Sequence, residues 1–456
     1  MRRVVKVSRI RIIITIIVVV LTTLLTGCTG KEPNEIAYVV ALGIDSTDDD
    51  NYKITIQYAN TTQISGGASE SGGKAGSEIV DNVTIEAPNI YAGVGLANNI
   101  VSKSFSMSHA KLIVFSKEIA EKGVKDMIET LVRSEEIRPD VFIAVANTTA
   151  NDYLTSVNPE MEVNPAQYYQ LIYQKNQLVG IPDGQLREFF TGLYTDNYDS
   201  IFPVAGVIEG SGGNSQNDDK GQSKDSQNEG SEGSSESLDS FESKSSNEKD
   251  ENEKEKDAEK NTSKYEYDIK NYVGGETAIE KKNKAEAIGA AVFEKDKMVG
   301  ELGEVETEIC KMLKGDYTYS YLTYYNNDTP DIPITVKTTQ QKKPKYKIDT
   351  DKKTVDIELY IESDLYSLPS DYNVENKIED FERDVANYTS SACTEFINNF
   401  TKKYNSDILK LNEKVKYKFL TNNQYNWFKK NVGWSKYKFS VCTNFKVRRT
   451  GLIVRK

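Results

Sequence analysis

The chain has 456 residues, of which 38% are hydrophobic and 28% charged, and 57 Lys and Arg against 69 Asp and Glu give a formal charge of -12. This length predicts two or three domains. The single histidine, His109, and four cysteines without a C-x-x-C spacing disfavour multi-histidine zinc sites, redox pairs and a disulfide scaffold. His109 is therefore the only residue that could serve as the histidine of a Ser-His-Asp hydrolase.

The N-terminus is laid out as an export signal. Five basic residues precede a 14-residue run at 12–25 that is apolar except for threonines and is shorter than the roughly 20 residues of a membrane-spanning helix. Leu25-Thr26-Gly27-Cys28 resembles the lipobox of bacterial lipoproteins, whose cysteine accepts diacylglycerol. We expect a signal peptide at 1–27 and acyl chains, palmitate among them, on Cys28. The alternative is a plain secretory signal with a chance cysteine.

Residues 28–160 are predicted to form a mixed α+β domain. Strands are expected at 36–44, 52–58, 83–86, 111–115 and 141–146, and helices at 89–101 and 120–131, from apolar periods of two and 3.6 residues. The acidic turn at 45–51 lacks the glycine and distal glutamate of a calcium loop, which favours a solvated turn.

A second domain is predicted at 161–315, mostly helical over 161–193, with strands at 202–208, 285–293 and 298–302. An acidic tract, residues 209–264, interrupts it with 16 acidic residues, 8 lysines and almost no large apolar side chains. Such a composition cannot bury enough surface to offset its chain entropy, so we expect a long disordered loop.

The third predicted domain, 316–456, is α+β with a basic end. A strand is expected at 354–362, helices at 374–403 and 407–420, and a last strand at 439–447. From Thr401 to Lys456 there are 15 basic and 2 acidic residues. Export past the membrane would remove nucleic acid as a partner, which leaves anionic lipid headgroups, an acidic partner surface or a solvated face.

Seven segments, taken in order along the chain, carry a resemblance to a known family: Glu35–Asp45, Ser108–Ser116, Arg133–Arg138, Ala290–Gly300, Glu306-Thr307, Lys403–Leu409 and Lys446–Gly451. They are similar, in the same order, to segments of the Ger(x)C spore germination lipoproteins. The sequence departs from the family in the acidic tract and at 415–438. The resemblance implies three α+β domains without a recognised active site.

The resemblance also implies a function. It predicts a non-enzymatic lipoprotein subunit, the C subunit of a GerA-type nutrient germinant receptor, working with integral-membrane A and B subunits. Lipidated Cys28 would hold the protein on the outer face of the cytoplasmic membrane, which in the spore is the inner membrane. No cofactor, metal or nucleic acid is expected, and contact with the germinant itself stays open.

The alternative function is a lipid-anchored solute-binding protein of a transporter, which needs two α/β lobes around a hinge. No catalytic residues are predicted. Cys310, Cys393 and Cys442 are expected to be buried thiols. The residues expected to serve structure or subunit contact are His109, a salt-bridge cluster of Arg133, Glu136 and Arg138, and also Asp407, Arg448 and Arg449.

Overall fold

The computed structural model describes a limited set of residues. They are 13–18, 35–49, 51–59, 80–159, 162, 164–174, 180–195, 198–208, 271–277, 283–326, 329–367, 377–404 and 406–450. Cys28 and the acidic tract lie outside these ranges, so lipidation and disorder stay predictions. Within them, no helix has both the length and the apolarity needed to cross a bilayer.

A nine-stranded sheet with helices on its faces occupies the first part of the described chain. Its strands are β1 (Ile36–Ser46), β2 (Tyr52–Ala59), β3 (Val80–Ala87), β4 (Ser104–Ser106), β5 (Leu112–Ser116), β6 (Phe142–Ala146), β7 (Ile201–Val207), β8 (Ala285–Glu294) and β9 (Lys297–Leu302). Its helices are α1 (Ile90–Ile100), α2 (Lys117–Lys122), α3 (Lys125–Val132), α4 (Ala150–Ser156), α5 (Pro165–Gln174) and α6 (Leu186–Thr195).

The strand order is β3-β2-β1-β5-β6-β7-β8-β9, and β4 pairs with the start of β1. The central strands β1, β5, β6 and β7 are parallel, while the flanking strands are antiparallel. Strands β5 and β6 are buried at every position. Burial on both faces is typical of parallel strands covered by helices, and it divides the interior into two cores.

This sheet takes strands from both of the first two predicted domains. Val145 of β6 pairs with Val204 of β7, across the boundary predicted at residue 160. The α+β class is therefore confirmed, with two sheets in the described residues, while the division into three domains stays a prediction.

The second sheet has five strands and follows a helix, α7 (Glu304–Lys314). Its elements are β10 (Tyr319–Asn326), β11 (Thr329–Gln340), β12 (Lys345–Asp349), β13 (Thr354–Ser367), α8 (Ile378–Lys403), α9 (Leu411–Val415), α10 (Asn422–Asn431) and β14 (Lys438–Arg449). β14 runs parallel to β13 at one edge. The sheet and the helices share a core that also includes Ile201 and Val292 of the first sheet.

Helix α8 covers the free edge of β14. Backbone N–H groups of alternate β14 residues donate to α8 side chains: Phe439 to Asn398 at 3.1 Å, Val441 to Thr394 at 3.0 Å and Thr443 to Ser390 at 2.9 Å. Four helical residues rise about 6 Å and two strand residues about 6.6 Å, so the two repeats match. The edge is thereby protected from pairing with another chain.

Two helix predictions were wrong in extent, and one predicted helical region consists of two helices. The helix expected at 120–131 is two helices, because Gly123 adopts a φ of 123° and ends α2. The helical region expected at 161–193 is the two helices α5 and α6. The helix expected at 407–420 is reduced to α9 and a short 3-10 turn, because Lys410 has a φ of 56° and the chain turns there.

Candidate functional site

The first family-like segment, Glu35–Asp45, holds helix α4 against the sheet. The carboxylate of Asp45 accepts the N–H groups of Ala150 at 2.6 Å and Asn151 at 3.0 Å, at the start of α4. A Cβ at Gly43 would lie 3.0 Å from Leu154, so the helix packs closely against the strand. Burial raises the pKa of Asp45, although both hydrogen bonds oppose the rise. For this residue the predicted solvated turn was wrong, since it is buried.

His109 lies exposed at the amino end of the parallel strands. Its Nδ1 is 3.0 Å from the hydroxyl of Ser108, and its ring packs edge-on against Tyr38 with centroids 4.8 Å apart. The carboxylate of Glu136 accepts the N–H of Met107 at 2.6 Å. The structure thus places His109 and Glu136 on adjoining loops, where they order the chain.

Arg133 and Arg138 do not join Glu136 in the salt-bridge cluster that the sequence suggested. Arg133 pairs instead with Glu129, one helical turn earlier, at 3.1 Å. Arg133, Glu136 and Arg138 are all exposed. Subunit contact by these side chains stays a prediction.

Asp407 lies at the junction of the two sheets and is buried. Its carboxylate accepts the N–H groups of Leu411 and Asn412, both at 2.8 Å, and so caps the start of α9. Its own N–H donates to the carboxylate of Asp199 at 2.8 Å, and that carboxylate also accepts the N–H of Lys295 at 2.9 Å. The side chains of Asp199 and Asp407 therefore link backbone segments that flank the first sheet and the second sheet.

The environment of Asp407 shifts its protonation. Burial raises the pKa of Asp407 to about 7, and repulsion from Asp199 adds to the rise. The N–H groups of Leu411 and Asn412 act in the opposite direction, because they favour the ionised form. The carboxyl group therefore titrates near neutral pH.

Neighbouring residues of the same segment fasten it to the hairpin of β8 and β9. The hydroxyl of Ser406 donates to the carbonyl of Phe293 at 2.9 Å. The ring of Tyr404 packs over Gly300, where a Cβ would lie 2.3 Å from the tyrosine oxygen. Two segments that carry the family resemblance, about 100 residues apart in sequence, are thus in direct contact.

A polar cleft of about 590 Å³ opens at this junction. It is lined by Tyr198, Asp199, Glu294, Lys295, Tyr404, Ser406, Asp407, Asn412, Asn426, Lys429, Lys430, Asn431, Val432, Gly433, Trp434 and Ser435. The lysines and asparagines offer N–H groups that suit a small polar molecule. Asp199 and Asp407 already bind backbone N–H groups, so these two carboxylates serve the structure. The lysines and asparagines are the groups of the cleft that suit binding.

The basic C-terminal segment is partly neutralised where it forms the second sheet. Arg448 pairs with Glu362 of the neighbouring strand at 2.6 Å, and Lys446 pairs with Glu382 of α8. Lys410 pairs with Glu188 of α6 at 3.0 Å. Arg449 is exposed at the end of β14.

The cysteines differ from one another in exposure. Cys310 and Cys393 are buried, as predicted, and burial raises the pKa of each thiol to about 12. Cys442 is exposed on β14, so for it the prediction of a buried thiol was wrong. In the part of the chain that the structure describes, no three His, Cys, Asp or Glu side chains are grouped to hold a metal ion.

Comparison with protein families identifies the chain. A model described as the spore germination protein N-terminal domain matches residues 30–207, and one described as spore germination B3/GerAC-like, C-terminal, matches residues 288–451. The chain belongs to the Ger(x)C family of spore germination proteins. The resemblance predicted from the sequence is confirmed, and the acidic tract of this Ger(x)C protein falls between the two matches.

Curated relatives come from Bacillus subtilis (strain 168). Spore germination protein KC is 26% identical over 174 residues, 35% of this chain and 42% of that protein. The putative spore germination protein YfkR is 28% identical over 145 residues, 32% of this chain and 37% of that protein. Each alignment thus spans less than half of the relative. The crystal structure of the GerBC protein aligns over 89% of this chain and 96% of that one, with a TM-score of 0.47 and 14% identity.

Sequence reasoning missed Asp199 and Gly300 as residues of the junction. Asp199 meets Asp407 across 208 positions of sequence, and no local period signals such a contact. Gly300 lies within the strand predicted at 298–302, and its contact with Tyr404 could not be predicted from spacing.

Proposed function

We propose that this Ger(x)C protein is a non-enzymatic, lipid-anchored C subunit of a spore nutrient germinant receptor. The observation that carries the proposal is the pair of family matches, in order on either side of the acidic tract. The lipobox-like Leu25-Thr26-Gly27-Cys28 ahead of the first match supports the anchor. The junction of Asp199 and Asp407 supports a structural role, since its carboxylates bind backbone.

The proposed location is the outer face of the cytoplasmic membrane, which in the spore is the inner membrane. Two acyl chains on Cys28 would hold the protein there, because a single chain anchors only marginally. The proposed partners are integral-membrane A and B subunits, which would supply any ion path. The solute-binding alternative gains no support from the family matches, and we do not retain it.

Fractionation of spores tests the anchor. Cys28→Ala removes the atom that accepts diacylglycerol, so the variant should leave the membrane fraction or stay unprocessed. Cys442→Ala is the matched control, because this exposed cysteine lies on β14. A Cys28→Ala protein that remains in the membrane fraction at its mature size would contradict lipidation.

A further inference from the structure

The stretch from Lys416 to Lys430 exposes large apolar side chains beside lysines. Tyr417 is 91% exposed, Leu420 95% and Trp427 65%. Lys416, Lys418 and Lys430 are exposed between and beside them. We call Lys416, Tyr417, Lys418, Leu420, Trp427 and Lys430 the aromatic-basic surface.

Packing beneath this surface holds the stretch in place. Phe419 contacts Phe428 with ring centroids 4.9 Å apart, and Phe428 contacts Trp434 at 5.8 Å. The amine of Lys418 also donates to the carbonyl of Ile348 in β12. Tyr417, Leu420 and Trp427 are therefore presented outward from an ordered base.

We propose that the aromatic-basic surface rests on the anionic membrane to which Cys28 is tethered. Tryptophan and tyrosine favour the headgroup region, leucine the upper acyl region, and lysine the anionic lipids. The charge is complementary as well, because the exposed Lys416, Lys418 and Lys430 would meet negative lipid. This inference rests on the proposed lipid anchor.

The position of the tether agrees with this assignment. Cys28 lies seven residues before Glu35, and seven residues span at most about 25 Å. β1 begins at Ile36 and is parallel to β5, β6 and β7, so their amino ends lie at one edge of the sheet. Asp199 precedes β7 at that edge and shares the cleft with Lys430 of α10.

Ile100 adds a further exposed apolar side chain at the same edge. Ile100, at the end of α1, is 70% exposed, and the strand β4 that follows it pairs with Ile36–Tyr38. The edge from which the tether leaves thus carries exposed apolar groups on both the N-terminal and the C-terminal parts of the chain.

The two tryptophans make the test possible in one protein. The chain contains only Trp427, which is exposed, and Trp434, which is 8% exposed. The full-length lipidated protein is reconstituted into phosphatidylglycerol vesicles whose acyl chains carry bromine, a quencher of tryptophan fluorescence. The difference between wild type and Trp427→Phe isolates Trp427 without altering Trp434. We expect at least half of the Trp427 emission to be quenched and the remaining Trp434 emission to be unchanged.

Charge removal supplies an independent readout. In Lys416→Gln/Lys430→Gln the ratio of docked to undocked protein, read from Trp427 quenching, should fall about fivefold per lysine. The control is Lys53→Gln/Lys284→Gln, which removes two exposed lysines next to the opposite ends of β1 and β7. This control should quench as the wild type does.

Each outcome decides the proposal. Vesicle-bound protein whose Trp427 is unquenched would overturn the docking surface and leave the lipid anchor intact. Trp427 protected only when partner subunits are present would overturn it in favour of a protein contact. Protein that does not associate with vesicles at all would contradict the anchor and the surface together.

Discussion

At the scale of single residues, buried carboxylates organise backbone. Asp45 caps α4, and Asp407 caps α9 while its own N–H reaches Asp199. A carboxylate that accepts backbone N–H groups at a helix start satisfies donors that the helix leaves open. The acidic residues of this protein are therefore partly architectural, although the sequence showed only an excess of negative charge.

The protonation of Asp407 predicts a pH dependence of stability. Its pKa is about 7 in the folded protein against an ordinary value of 3.8, so the folded state binds more protons between these values. Stability from this group is complete below pH 4 and is lost as the pH rises through 7. The unfolding free energy of the wild type minus that of Asp407→Asn should therefore fall from pH 5 to pH 8 in denaturant titrations. A signed difference that stays constant or rises with pH would contradict the raised pKa.

Gly300 predicts a steric effect at the junction. In Gly300→Ala the new Cβ would collide with the ring of Tyr404, which packs on Phe400 and must shift, and we expect a loss of about 1–3 kcal/mol in unfolding free energy. Gly95→Ala in α1 is the control, because a Cβ there has no neighbour within 4 Å, and it should stabilise by about 0.5–1 kcal/mol. Equal effects of the two substitutions in urea titrations would rule out the close contact.

At the scale of elements, the pairing of α8 with β14 predicts the outcome of two adjacent substitutions. Ser390→Ala removes the acceptor for the N–H of Thr443 and should cost about 1–3 kcal/mol, because a buried donor is left unsatisfied. Ser391→Ala, one residue further along the same helix, alters an exposed side chain and should stay within about 0.5 kcal/mol. Thermal unfolding measures both. Indistinguishable melting temperatures would mean that the helix does not support the strand edge.

Elements with a clean period were predictable from the sequence. The alternation of apolar and polar residues predicted β2 and β13, and the polar turn between two apolar runs placed β1 beside β2. Helix α8 was predicted as a long helical stretch. Strands β10 to β12 were not predicted. Tyrosines lie on both faces of β10, since Tyr324 is buried and Tyr321 is exposed, and two prolines interrupt the pattern of β11. The break between α2 and α3 depends on a positive φ at Gly123, which the apolar spacing on either side concealed.

At the scale of the whole molecule, the order of family-like segments was predictable and their meeting place was not. The contacts of Tyr404 with Gly300 and of Asp407 with Asp199 join the two sheets across long stretches of sequence. Such long-range pairings depend on the assembled fold, since no local preference specifies them. The cleft of about 590 Å³ lies at the same junction, which explains why no single sequence motif predicted it.

The central claim is that this Ger(x)C protein works as the lipid-anchored subunit of a membrane complex. Co-purification from detergent-solubilised spores tests it most directly, with the chain tagged at its C-terminus and Cys28→Ala purified in parallel. We expect the wild type to bring down two polytopic membrane proteins in stable proportion, and the Cys28→Ala variant to recover far less of both. Purification of the wild type alone, or together with a transporter permease, would contradict the assignment.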